Sequence, residues 1–316
     1  MKRAVKILAV ITTVGMFLVL VAGATVTNTG SEHGCGKSWP LCHGKLIPRF
    51  AVSTAIEYIH RADAAMETVL ILALAAGVWY LYRRRREVRI LVPLMVAFLF
   101  LQAGLGAWAV MYPQLAPVLA LHFGVSLVAF ASVLLTTVFL FEIDGTERLR
   151  DRLVPRPYFW YVWLLAIYTY VVVYSGAYVR HTNADDACKG WPLCNGSVIP
   201  AFHGKVASMF GHRLGAGLLT LGVIVLFLWG VRLRQSRPDL FRAGSVALLL
   251  VVLQALAGAV VVWTNMDLFA ALAHAATVGL FFGTVTYLCI HVLPRSIETT
   301  AAAPAPIPAQ TTGIAT

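Results

Sequence analysis

Four histidines recur at a fixed interval in this chain of 316 residues. His60 and His212 are 152 positions apart, and so are His122 and His274. Each stands at or near the start of a long apolar run. Two imidazoles at one level on neighbouring helices can grip a flat macrocycle from both faces. A lone histidine in such a run is as readily a polar residue bonded to the next helix, but four at equivalent depth, in duplicated pairs, fit that account poorly. Zinc and copper also accept imidazole, yet a closed zinc site takes about four protein ligands and each pair supplies only two. A macrocycle with its own four nitrogens needs no more. The spacing predicts two bis-histidine haem sites.

Other reactive side chains cluster near the first histidine of each pair. Glu57 lies one helical turn before His60, on the same face, whereas the equivalent position in the second half is Met209. A carboxylate at a pocket rim can take or relay protons, or stabilise positive charge developing on a substrate; it can also be an interfacial acid facing water and paired with Arg61. Arg61 and Arg213 directly follow His60 and His212. They suit charge-assisted hydrogen bonds to haem propionates, and equally ordinary snorkelling at a membrane surface. Cys35 and Cys42 share one loop, Cys188 and Cys194 its equivalent. Thiols outside the cytoplasmic membrane meet oxidising conditions, so two short-range disulfides are expected. Both close small loops; an exposed disulfide near the first haem could also relay electrons. Covalent c-type attachment is excluded, because Trp39 stands where the C-x-x-C-H motif needs its first cysteine. His33 and His43 flank the first cysteine pair as a small metal site or as solvated loop residues, and Cys289 reads as a packed thiol.

The elements that must position these groups are membrane helices. The composition is 59% apolar and 12% charged, about half the charge a water-facing domain carries. That excludes a cytosolic enzyme, a disordered chain and a secreted disulfide scaffold. Eight runs long enough to span a bilayer cover 5–26, 62–82, 90–111, 117–141, 158–180, 207–231, 243–264 and 268–292. Of the 25 Lys and Arg, 17 fall on the side that holds both termini and 8 on the other. The positive-inside rule places both termini in the cytoplasm and the histidines near the outer face of the cell membrane. The basic excess is then topological and implies lipid contact but no nucleic-acid partner.

The repeat extends well beyond the histidines. Trp39-Pro40-Leu41-Cys42 matches Trp191-Pro192-Leu193-Cys194, and Leu101-Gln102-Ala103 matches Leu253-Gln254-Ala255. Upstream of a one-residue slip the offset is 153, pairing Gly23-Ala24 with Gly176-Ala177 and Cys35 with Cys188. The first run therefore corresponds to an internal span, and is expected to be a retained helix although its basic start and Ala22-Gly23-Ala24 also suit a signal peptide. Four spans per half give both halves one orientation, a parallel repeat. The expected fold is an all-α membrane protein of eight transmembrane helices arranged as two pseudo-symmetric four-helix bundles. An N-terminal bundle covers 1–141, a cytoplasmic linker 142–157, a C-terminal bundle 158–295 and a disordered tail 296–316.

Taken together, Glu57-x-x-His60-Arg61, His122, Gly211-His212-Arg213, His274 and the two cysteine pairs resemble the short bacterial haem A synthases, over nearly the whole chain to His291. The resemblance implies an oxidoreductase that converts the C8 methyl of haem O to a formyl group, giving haem A for terminal oxidases. It implies a resident haem b between His212 and His274, substrate haem O between His60 and His122, and Glu57 as the catalytic acid group. It further implies that the Cys35–Cys42 disulfide bears on activity and that Cys188–Cys194 is structural. Electrons would leave the substrate methyl for an acceptor outside the chain, and a haem O-producing farnesyltransferase would be the natural supplier of substrate. The competing expectations are a di-haem b electron carrier and a haem transporter that modifies nothing. Placement of all four ligands at one depth speaks against a ladder of haems across the membrane.

Overall fold

The computed structural model describes residues 1–49, 51–143 and 154–293. It holds eight long apolar helices: α1 Lys2–Asn28, α2 Val52–Tyr82, α3 Arg86–Met111, α4 Ala116–Glu142, α5 Arg156–His181, α6 Gly204–Leu233, α7 Pro238–Trp263 and α8 Leu268–His291. In lipid every backbone N–H and C=O must be satisfied within the segment, which is why apolar runs of this length become helices. Prolines 117, 157 and 238 open α4, α5 and α7, where a missing N–H costs nothing. Asp267 caps α8 by accepting from Ala270 N at 3.0 Å. This is a multi-pass, all-α membrane protein.

The expected spans and the helices agree except at their ends. The second span was expected from 62, but α2 begins at Val52; α7 likewise begins at Pro238 rather than 243. The polar residues Glu57, His60 and Arg61 depress the hydropathy of the first turns of α2 without ending the helix. The linker expected at 142–157 lies largely outside the described residues, and the tail at 296–316 lies entirely outside them.

One apolar core is built mainly from α1 to α4, around Met16, Ile71, Leu74, Met95, Leu127 and Phe130. A second, around Tyr158, Val162, Val223, Leu226, Leu240 and Phe281, is built from α5 to α8. The helix pairs α1–α8, α4–α5 and α4–α8 join the two sets. Glycine lets helices approach where lipid gives no hydrophobic drive to associate. Gly279 of α8 packs on Leu20 of α1 and Leu127 of α4, and Gly283 on Leu134. A hydroxyl pair, Thr13 and Thr137 at 2.7 Å, ties α1 to α4.

The loops before α2 and α6, described over residues 29–49 and 182–203, lie at the same end of the molecule as the short α3–α4 and α7–α8 turns. All four histidines belong to helices that start at this end. His60 and His212 each stand eight positions past the first residue of their helix, His122 and His274 each six. The two helices of a pair run parallel, so the paired histidines share a level.

Candidate functional site

Each histidine leans on a glycine of the helix that precedes its own in the chain. A Cβ on Gly23 would come within 3.1 Å of the His60 ring and one on Gly106 within 3.4 Å of His122. For Gly176 against His212 and Gly258 against His274 the values are 2.7 and 3.0 Å. The missing side chains are what leave room for the imidazoles. His60 lies in electrostatic range of His122, and His274 of His212. The sequence-expected partners are thus neighbours, each ring backed by a glycine, and His181 of α5 also lies in electrostatic range of His122. Among the described residues, no group of three or more His, Cys, Asp or Glu converges as a divalent metal site would.

The two pairs differ in how their rings are held. His212 Nδ1 lies 3.0 Å from Ser175 Oγ, whose own hydrogen is donated to Val172 O at 2.7 Å. With Ser175 as acceptor, Nδ1 carries the ring hydrogen, the tautomer in which Nε2 keeps its lone pair. Such outer partners commonly orient histidine ligands. The position equivalent to Ser175 in the first half is Ala22, and His60 Nδ1 is buried without a partner, as are Nδ1 of His122 and of His274. Gln254 Nε2 stands 3.2 Å from His274 Nε2.

Glu57 does not face water: it is 4% exposed. Its Oε1 accepts from Arg61 Nη2 at 2.5 Å and its Oε2 from the backbone N–H of Cys35 at 2.7 Å. The carboxylate therefore joins the ligand helix to the disulfide loop. Arg61 Nη1 donates onward to the carbonyls of Ser38 and Leu41. In the second half Arg213 Nη1 grips the equivalent carbonyls of Gly190 and Leu193, and Nη2, with Met209 where the acid would be, goes directly to Cys188 O at 2.9 Å. The guanidinium ends that the sequence offered to propionates are engaged with the loops, whereas Nε of both arginines is buried without a partner.

Both disulfides, Cys35–Cys42 and Cys188–Cys194, are formed. The first disulfide is buried rather than exposed. Cys35 is 0% and Cys42 2% exposed, because the loop folds over them under Arg61 and Glu57. His43 is spent on the loop, with Nε2 2.9 Å from Gly34 O, and Cys289 is a buried free thiol. Sequence reasoning missed Ser175 and the role of the four glycines. The repeat offered a signal, since Gly23 and Gly106 recur as Gly176 and Gly258.

Paired histidines backed by glycine, at one end of eight membrane-length helices, place the chain among multi-pass helical membrane proteins that carry histidines on parallel helices. The profile of the COX15-CtaA family, described as cytochrome oxidase assembly protein, matches residues 47–286. The chain belongs to that family. It is 41% identical over 295 residues to the heme A synthase of Bacillus licheniformis, covering 92% of this chain and 97% of that protein. It is 40% identical over 296 residues to the heme A synthase of Geobacillus kaustophilus, covering 93% of each. With the heme A synthase of Shouchella clausii it shares 41% over 295 residues, 92% of this chain and 98% of the relative.

Proposed function

We infer that this chain is a haem A synthase, an oxidoreductase that converts the C8 methyl of haem O to the formyl group of haem A. The observation that carries this is the placement of a buried carboxylate, Glu57, beside one histidine pair and not the other, in a chain about 40% identical over nine-tenths of its length to proteins of that name. The donor sets suit haem: each half offers two imidazoles with room made by glycine, and among the described residues no group of three or more His, Cys, Asp or Glu converges as a metal site would.

The two halves divide the labour. Haem b resides between His212 and His274, and haem O enters between His60 and His122. Ser175 supports this division, since a ring locked through Nδ1 suits a permanent ligand, while the untethered His60 suits one that must release its product. The N-terminal bundle is the substrate half and the C-terminal bundle the resident half. The charge asymmetry supports cytoplasmic termini and sites near the outer face. Resident haem b supplies redox chemistry when bound. The chain's own residues do the rest: His60 and His122 fix the substrate ring, glycine and aliphatic walls limit water, and Glu57 takes a proton released as the methyl is oxidised, with water as oxygen source. The buried Nε–H groups of Arg61 and Arg213 are left to orient propionates. Electrons go to an acceptor outside the chain, and substrate arrives from a haem O-producing farnesyltransferase.

Expression with a haem O supply, followed by extraction of haems, tests the assignment. His60→Ala should abolish haem A while haem b remains; His212→Ala should remove haem b. Two equivalent haem b molecules and no conversion in the unmodified protein would instead make it an electron carrier. Ser175→Ala tests the ring lock separately. Losing such an orienting partner costs about 10- to 100-fold in affinity, so haem b should pass to excess apomyoglobin about tenfold faster. An unchanged transfer rate would remove Ser175 from the argument.

A further inference from the structure

Glu67 stands midway along α2, seven residues past His60 and about 10 Å deeper at 1.5 Å per residue. It is 2% exposed, and both carboxyl oxygens are buried without a hydrogen-bond partner. Gly15 of α1 faces it so closely that a Cβ there would overlap Glu67 Oε1. Asp63, half-buried, lies one turn nearer the pocket on the same face and in electrostatic range. Helical geometry puts His60, Asp63 and Glu67 on one stripe of α2.

No cation answers this carboxyl. Residues 7–26 of α1, 90–111 of α3 and 117–141 of α4 contain no Lys, Arg, Asp or Glu, and His122 is their one histidine. Nor does packing demand an acid. In the second half the positions of Glu67, Asp63 and Gly15 are held by Leu219, Gly215 and Tyr168, and the Tyr168 hydroxyl reaches over to Gly215 O at 3.2 Å. The same space is filled by a leucine and an aromatic ring. A lone carboxylate in a membrane interior is too costly to remain charged and unpaired.

We propose that Glu67 is a proton-binding site of the N-terminal pocket, protonated at rest and exchanging its proton with the pocket through Asp63. Each exchange breaks the Glu67 O–H bond, forms one on an Asp63 oxygen and leaves the negative charge on Glu67 until the proton returns; no electron moves. That the traffic serves methyl oxidation, which releases protons beside Glu57, rests on the haem A synthase reading. The proton site itself does not.

Infrared spectroscopy of the full-length protein in nanodiscs, without added haem O, tests it. The carbonyl band of a protonated carboxyl should be present at neutral pH, shift with ¹³C-glutamate labelling, shift again in D2O, and vanish in Glu67→Gln. Haem A output per folded protein should fall about tenfold in Glu67→Gln and in Asp63→Asn, less than for a group acting on the reacting atoms. Absence of a glutamate band, a band that ignores D2O, or full output from both variants would overturn the proposal. Should Glu67→Gln fail to fold, Glu67→Asp keeps a carboxyl at the site, and there the band should no longer respond to ¹³C-glutamate; a response that persists would overturn the proposal. A wild type that shows the exchanging band but makes no haem A would instead count against the haem A synthase reading alone.

Discussion

Glu57→Gln is expected to lower haem A output by about 10²- to 10⁴-fold, the range for removing a general acid or base, with haem b content and both disulfides retained. Glutamine keeps the shape of the side chain and one oxygen for Cys35 N–H, but cannot take a proton. Because Glu57 also ties Arg61 to the disulfide loop, a loss of activity alone could reflect a slack loop. The second half contains the control. There Met209 replaces the acid, and Arg213 closes the gap by reaching Cys188 O itself. Glu57→Met should let Arg61 do the same, leaving unfolding near wild type while product disappears. Full haem A output from either variant with normal haem content would remove the carboxylate from the chemistry. Restored output in Glu57→Asp would reinforce the proton role, since the loop contacts would be altered while a carboxylate is kept.

The helices were legible because bilayer thickness and backbone satisfaction leave few alternatives for apolar runs of this length. The first turns of α2 escaped because Glu57 and Arg61 lower hydropathy, although each satisfies the other inside the fold. The histidine pairs were legible from spacing alone, since duplication converts an ambiguous side chain into a pattern. What backs them was not. Glycine carries no chemical group, and its function is visible only when a neighbouring ring is found in the space a Cβ would take. Ser175 sat in a run of valines and tyrosines, where hydroxyls commonly bond the previous helical turn; its second partner lies 37 residues away in another helix. The loop contacts of the two arginines were hidden for a related reason. Their charge suggested an anion, but backbone carbonyls of a folded loop can occupy a guanidinium as fully as a carboxylate can.

Far from the pockets, at the opposite ends of the helices, Arg237→Met should lower the free energy of unfolding by about 3–5 kcal/mol, as expected on breaking a buried ion pair by removing one partner. Arg237 is 2% exposed. Its Nε and Nη2 donate to the two oxygens of Asp239 at 3.0 and 2.7 Å, and Nη2 also donates to His291 O at 2.6 Å. His291 in turn stands between Asp239 at 3.1 Å and Glu142 at 3.0 Å, and Tyr287 donates to Glu142 at 2.8 Å. The network thus links the last residue of α4 to the start of α7 and the end of α8. Sequence periodicity gave no hint of it, because Glu142 and His291 are 149 residues apart. Methionine would fill the volume but take the paired guanidinium from the Asp239 carboxylate, which is 7% exposed, and leave it His291. Lysine would restore the charge without the planar fork that meets both oxygens, so Arg237→Lys should recover only part of the loss. Denaturant titration of purified protein in detergent checks both variants, and equal midpoints for wild type and Arg237→Met would show that the cluster does not hold the halves together. Since the pockets lie at the other end, haem extracted per folded molecule should stay constant across the series, which separates weakened assembly from damaged chemistry.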